Sequence, residues 1–139
     1  MRNPYDRLVS LYTSKAVNTN VLHTLGGRGV AFDQGFDVFC KTVCAVHDSV
    51  ADRHYRSQVK QLSDKGEFFP KELFRFEDLD AVTEMLREVL IKFNGDLPHK
   101  NKSPNRKPWP EYYTSELYEL VNMHYALDFE VLGYKQVRG

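Results

Sequence analysis

Arg2 and Ser10 are the residues whose types and spacing most suggest chemistry, because both fall near the start of one expected helix. The stretch Arg2-Asn3-Pro4-Tyr5-Asp6-Arg7-Leu8-Val9-Ser10-Leu11-Tyr12 reads as a loop that turns into a helix. Asn3 is a good N-cap, and Pro4 suits the first helical position, where its missing N–H would have no intrahelical partner. Asp6 follows Asn3 at the spacing that lets a carboxylate reach back to the cap and meet the positive end of the helix dipole. Leu8, Leu11 and Tyr12 recur at helical spacing, which predicts a helix from Pro4 to about Ala16. Arg2 then lies just before that helix and Ser10 on its second turn. A guanidinium, a hydroxyl and a helix N-terminus close together suit a phosphate. The cap and the apolar spacing by themselves are also those of an ordinary amphipathic helix with solvated charges, the commoner outcome.

Three other groups of residues bear on chemistry. Asp52-Arg53-His54-Tyr55-Arg56-Ser57-Gln58 is dense in hydrogen-bonding groups. On a helix, His54 and Gln58 would share one face and point into one cleft. The other reading of this stretch is a polar helix end facing water. The stretch from Pro98 to Pro110 holds His99, Lys100, Asn101, Lys102, Ser103, Asn105, Arg106 and Lys107, the most basic part of the chain. Its composition is that of a solvated loop, yet its cations would also suit a ligand carrying several phosphates. Cys40 and Cys44 fall on one face of a helix expected from Phe36 to Val46, where small buried thiols are the usual outcome. His47 alone does not complete a metal-ligand set with them. Gly26-Gly27-Arg28-Gly29 lacks the spacing and the Lys-Ser/Thr of a Walker motif, so it reads as a connection within a loop from Val17 to Asp33.

These groups need elements to position them. At 139 residues, with 42% hydrophobic and 13% aromatic residues, the chain has the material for one packed domain, residues 1–139. Phe36, Val38, Phe39, Val43 and Val46 give the second helix one broad apolar face. Leu73-Phe74-Arg75-Phe76 reads as a short buried strand. A helix follows from Leu79 to about Phe93, with Val82, Met85, Leu86, Val89 and Leu90 on its apolar face. The last helix runs from Thr114, its cap, to about Leu127. Strand followed by helix is a piece of an α/β layer fold. Lys plus Arg and Asp plus Glu both total 19, so general electrostatic attraction to nucleic acid or to an anionic membrane surface is not expected. No apolar run reaches the ~20 residues of a membrane span, and Met1-Arg2-Asn3-Pro4 has no apolar region of the signal-peptide kind.

The full string Arg-(Asp/Asn)-Pro-Tyr-x-Arg-Leu-x-Ser-x-Tyr resembles the 3′-phosphate-binding motif of sulfotransferases that use 3′-phosphoadenosine 5′-phosphosulfate (PAPS). It looks most like the branch of Golgi carbohydrate sulfotransferases and their microbial relatives. The resemblance implies that Arg2 and Ser10 hold the 3′-phosphate of the nucleotide. Further partial matches follow in order. His54, Tyr55 and Gln58 resemble a segment with a histidine, an aromatic residue and a glutamine after the second helix. Phe76-Glu77-Asp78-Leu79 resembles the end of a short strand leading into a helix. Pro98-His99-Lys100-Asn101-Lys102-Ser103 resembles a His-x-Asn-x-Ser/Thr segment near the nucleotide. Asp128-Phe129-Glu130-Val131-Leu132-Gly133-Tyr134 resembles the family's ending.

The resemblance implies a P-loop NTPase-like α/β fold, PAPS as co-substrate, no required metal, and a hydroxyl or amine acceptor, carbohydrate first. His54 is then a candidate base or substrate contact, and Lys100 and Lys102 are candidate phosphate contacts. The family's loop of the Pro-Lys-x-(Gly/Ala)-(Thr/Ser)-(Thr/Ser) type, which holds the 5′-phosphosulfate, has no counterpart before Arg2. The chain therefore reads as the C-terminal portion of such a domain, mostly helical with a short parallel strand, and inactive by itself. Leu8, Leu11 and Tyr12 would then be partly exposed, or covered by another chain, and such an apolar surface favours self-association. The resemblance implies a cytoplasmic protein for a microbial or viral source, and a lumenal Golgi domain for a full-length eukaryotic relative. The alternative reading is a non-enzymatic helical module that binds a protein partner, without affinity for the nucleotide.

Overall fold

A computed structural model describes residues 1–15, 29–89 and 106–138. Helix α1 spans Pro4–Lys15, α2 Phe36–Ala45 and the short α3 Gln58–Gln61. Two-residue strands β1, Ser63–Asp64, and β2, Glu67–Phe68, form an antiparallel hairpin. Helix α4 covers Leu79–Val89, a 3-10 turn covers Trp109–Tyr112, and α5, Ser115–His124, leads into α6, Ala126–Leu132. The described residues are mostly helical.

The core follows from the apolar faces read in the sequence. Leu8, Val9 and Leu11 of α1 meet Phe36, Phe39 and Val43 of α2, with Leu117 and Val121 of α5 closing the layer. Aromatic rings knit these helices to the 3-10 turn. Tyr5 stacks on Trp109 at 5.1 Å between centroids and meets Tyr113 and Tyr118 edge-on. Such pairs contribute roughly 0.5–1.5 kcal/mol each beyond their buried area. The expected exposure of α1 is thereby corrected. Leu8 is 1% and Leu11 7% exposed, and Tyr12 is half-buried against Phe36 and Phe39. Among the described residues, the large apolar side chains left exposed lie elsewhere, Phe69, Val89 and Met123 the most open of them.

Two elements depart from expectation. The stretch 73–76 is not a buried strand: Arg75 and Phe76 are exposed, and it has no strand neighbour among the described residues. It makes one bridge instead. Met1 N donates to Phe74 O at 2.8 Å, and Phe76 N donates to Met1 O at 2.6 Å. That alternation, one residue bonded to both neighbours of Arg75, is the parallel β pattern. The short hairpin, unexpected, turns on Lys65 and Gly66, both at positive φ, the geometry of a tight two-residue turn.

The last helix is also divided. Thr114 caps it, its Oγ1 accepting from Leu117 N at 3.3 Å. The axis then breaks at Tyr125, and α6 continues through Leu132 to Gly133, which at φ 68 takes the left-handed terminating position. The break turns Asp128, Phe129 and Leu132 inward, where all three are buried.

Candidate functional site

The structure brings Arg2 and Ser10 into contact. Asn3 caps α1, its Oδ1 accepting from Tyr5 N at 3.0 Å and its carbonyl from Arg7 N at 2.9 Å. That cap fixes where the helix begins and so sets Arg2 just outside the first turn. The Arg2 side chain folds back along the helix. Its Nε donates to Asp6 Oδ2 at 2.6 Å, and its Nη1 donates to Ser10 Oγ at 2.8 Å. The Phe76 ring lies 4.6 Å from the guanidinium carbon. Asp6 thus does not reach back to the cap as expected, because a guanidinium offers it charge-assisted bonds that a backbone N–H cannot match.

Asp6 also holds a second guanidinium. Arg106 donates to Asp6 Oδ1 through Nη2, and its Nε is buried without a hydrogen-bond partner among the described residues. Arg2 and Arg106 therefore share one carboxylate at the N-terminal end of α1, and Arg2 also reaches Ser10. The Arg2 and Arg106 side chains are only about one-fifth exposed, 21% and 20%. Two positive charges against one negative leave a local excess of positive charge in a partly dehydrated place, where it acts more strongly than in water. Arg106 was legible only as one cation of a basic loop; its pairing with Asp6 spans too much sequence for spacing to reveal it. Lys100 and Lys102 lie outside the described residues.

His54, Tyr55 and Gln58 do not share a cleft. Asp52 Oδ1 accepts from His54 N at 2.9 Å, which makes residues 52–55 a turn rather than helix. Ser57, at φ −47 and ψ 132, separates that turn from α3. His54 Nδ1 lies 2.6 Å from Asp52 Oδ1, so the carboxylate fixes the ring and leaves Nε2 outward. Tyr55 points into the core with no exposure. Gln58 turns the other way, onto the backbone of Arg2. Arg7 ties the turn to α1, donating to Arg56 O at 2.7 Å and to Arg53 O at 2.9 Å.

Cys40 is fully buried, while Cys44 is half-buried. A hydrogen bond with Cys44 and burial both push the Cys40 thiol well above its ordinary range. Among the described residues, no group of three or more His, Cys, Asp or Glu side chains is arranged to hold a metal. A cavity of about 360 Å³ lies between α2, α3 and α5, lined by Cys44, His47, Asp48, Lys60, Met123 and His124 among others. It shares no lining residue with the Arg2 cluster. No helix among the described residues is long and apolar enough to cross a membrane.

A family model described as the sulfotransferase family matches residues 1–135. No curated protein and no solved structure matches the chain significantly. The family match covers the whole described cluster, from Arg2 through Arg106 to the buried Asp128, and the chain belongs to the sulfotransferase family.

Proposed function

We propose that the Arg2 cluster binds the 3′-phosphate of PAPS, and that these residues belong to an enzyme domain that, together with a donor loop for the 5′-phosphosulfate, transfers the sulfuryl group to a hydroxyl or amine, with carbohydrate the expected acceptor class. The observation that carries this reading is the 2.8 Å contact between Arg2 Nη1 and Ser10 Oγ. By accepting from Arg2, the Ser10 oxygen leaves its own O–H free to donate to a phosphate oxygen. The Arg2 fork keeps further N–H groups for the same ligand, and Arg106, with its buried unpaired Nε, adds a second guanidinium. Lys100 and Lys102 belong to the same proposal as phosphate contacts.

The chemistry that fits is in-line displacement at sulfur. An acceptor oxygen or nitrogen forms the new bond to sulfur while the bond to the bridging phosphate oxygen breaks. Adenosine 3′,5′-bisphosphate then leaves with the electron pair. His54 is the proposed base: Asp52 at 2.6 Å holds Nδ1–H, so Nε2 is free to take the acceptor proton. Asp52 would also stabilise the imidazolium that results.

Calorimetric titration with adenosine 3′,5′-bisphosphate tests the anchor. Arg2→Ala should weaken binding by roughly 1.5–3 kcal/mol, the range for hydrogen bonds to charged groups, and Ser10→Ala by about 1 kcal/mol. Arg106→Ala should fall between them, since it removes charge but no contact with Ser10. Unchanged affinity in all three variants would sink the assignment, and no binding by the wild type would favour the protein-interaction module.

A further inference from the structure

We propose that Gln58 is the positioning residue that aims Arg2, and that Asp128 sets Gln58 in place; this rests on the reading of Arg2 as a phosphate ligand. Gln58 uses both ends of its amide on one backbone residue. Its Oε1 accepts from Arg2 N at 2.9 Å, and its Nε2 donates to Arg2 O at 2.8 Å. Those two groups belong to the peptide planes on either side of the Arg2 Cα, so the amide does what a neighbouring β-strand would do. The residues beside Arg2 are tied as well, Met1 to Phe74 and Phe76, and Asn3 N to Glu77 Oε1 at 2.8 Å. An arginine side chain has many rotamers, and a fixed Cα is what limits where its fork can arrive.

Gln58 itself is set from the core. Asp128 has no exposure, and its carboxylate accepts from Gln58 N at 2.8 Å, from Val59 N at 3.0 Å and from the Ser57 hydroxyl. It therefore takes up the free N–H groups at the start of α3, a turn too short to hold its own place by helical bonds. The line of contact runs from the buried carboxylate through the α3 backbone to the Gln58 amide, the Arg2 backbone and the guanidinium. A glutamine whose amide merely faced water, or touched acceptor, would leave the Arg2 backbone unpaired.

The test compares affinities of the 139-residue chain for adenosine 3′,5′-bisphosphate and adenosine 5′-phosphate by calorimetry. Their ratio measures recognition of the 3′-phosphate, and a general loss of folded protein does not move it. Gln58→Met keeps the volume and removes both bonds. It should cut the ratio about five- to tenfold, the effect of losing neutral hydrogen bonds, with Arg2→Ala cutting it at least as far. Gln58→Glu, which keeps an acceptor for Arg2 N but loses the donor to Arg2 O, should also lower it. A wild-type ratio in Gln58→Met, with the ratio lost in Arg2→Ala, overturns the positioning role alone. A ratio near one in the wild type, or one unchanged in Arg2→Ala, overturns the phosphate reading and the positioning role with it.

Discussion

Asp6 governs what Arg2 and Arg106 do. Without it, two guanidinium groups at one helix start would repel each other and spread into solvent. With it, both are held, and the site keeps a net positive charge for an anion. The geometry uses the planar fork of arginine, so Arg2→Lys is not conservative: an ammonium cannot hold Asp6 and Ser10 while also presenting N–H groups outward. Arg2 and Ser10 were legible in the sequence because both fall near the start of one capped helix and match the resembled motif, and the long Arg2 side chain spans the turns between them. Arg106 and the partner of Gln58 were not, because those contacts join residues far apart in the chain. His124 carries a separate prediction at this scale. Burial lowers its pKa below the ordinary 6.5, and its Nε2 is buried without a partner among the described residues. The folded state therefore binds this proton less readily than the unfolded state. Stability from the neutral ring is present above pH 6.5 and is lost as pH falls through that value toward the lower folded pKa. Thermal melts should show Tm dropping as pH falls below 6.5, with part of the drop removed in His124→Gln, which cannot become charged. An identical pH slope in wild type and variant would exclude His124 as its source.

Helices were legible where capping and apolar spacing agreed, as in α1, or where one broad apolar face was enough, as in α2; the observed bounds of both differ from the expected ones only at their ends. The strand at 73–76 was misread for a physical reason. Its alternation of Leu73, Phe74 and Phe76 suggests burial, but a strand is defined by partners, and among the described residues this one has only Met1. Its Phe76 ring instead lies against the Arg2 guanidinium. Asp128 shows the opposite case: an acidic residue between apolar ones looks like a surface position, yet the break at Tyr125 drives it into the core. Removing it would leave two backbone N–H groups and a hydroxyl without their acceptor in a buried place. Asp128→Ala should therefore cost about 3 kcal/mol of stability, readable by urea unfolding. Asp128→Asn should cost less, since one oxygen still accepts. A loss under about 0.5 kcal/mol for Asp128→Ala, as for an ordinary surface substitution, would show that water replaces the carboxylate easily.

Across the whole molecule, the match over residues 1–135 and the cluster around Asp6 point the same way. The proposed site accounts for one end of the nucleotide. Residues 1–139 contain no Pro-Lys-x-(Gly/Ala)-(Thr/Ser)-(Thr/Ser) segment, the type that would orient the sulfate end. Stabilising the transition state at sulfur requires donors aimed at that end. The 139-residue polypeptide assayed by itself should therefore bind the bisphosphate weakly and transfer no measurable sulfuryl group to carbohydrate acceptors. Robust transfer in a radiolabelled-sulfate assay would mean that another segment within these residues does the donor loop's work. The most direct test of the 3′-phosphate assignment is phosphorus NMR of adenosine 3′,5′-bisphosphate titrated with the protein, since each phosphate gives its own resonance. The 3′-phosphate resonance should shift and broaden strongly, the 5′ resonance much less, and Arg2→Ala should abolish the difference. Equal effects on both resonances, or a stronger effect on the 5′-phosphate, would contradict the placement of the 3′-phosphate between Arg2, Ser10 and Arg106.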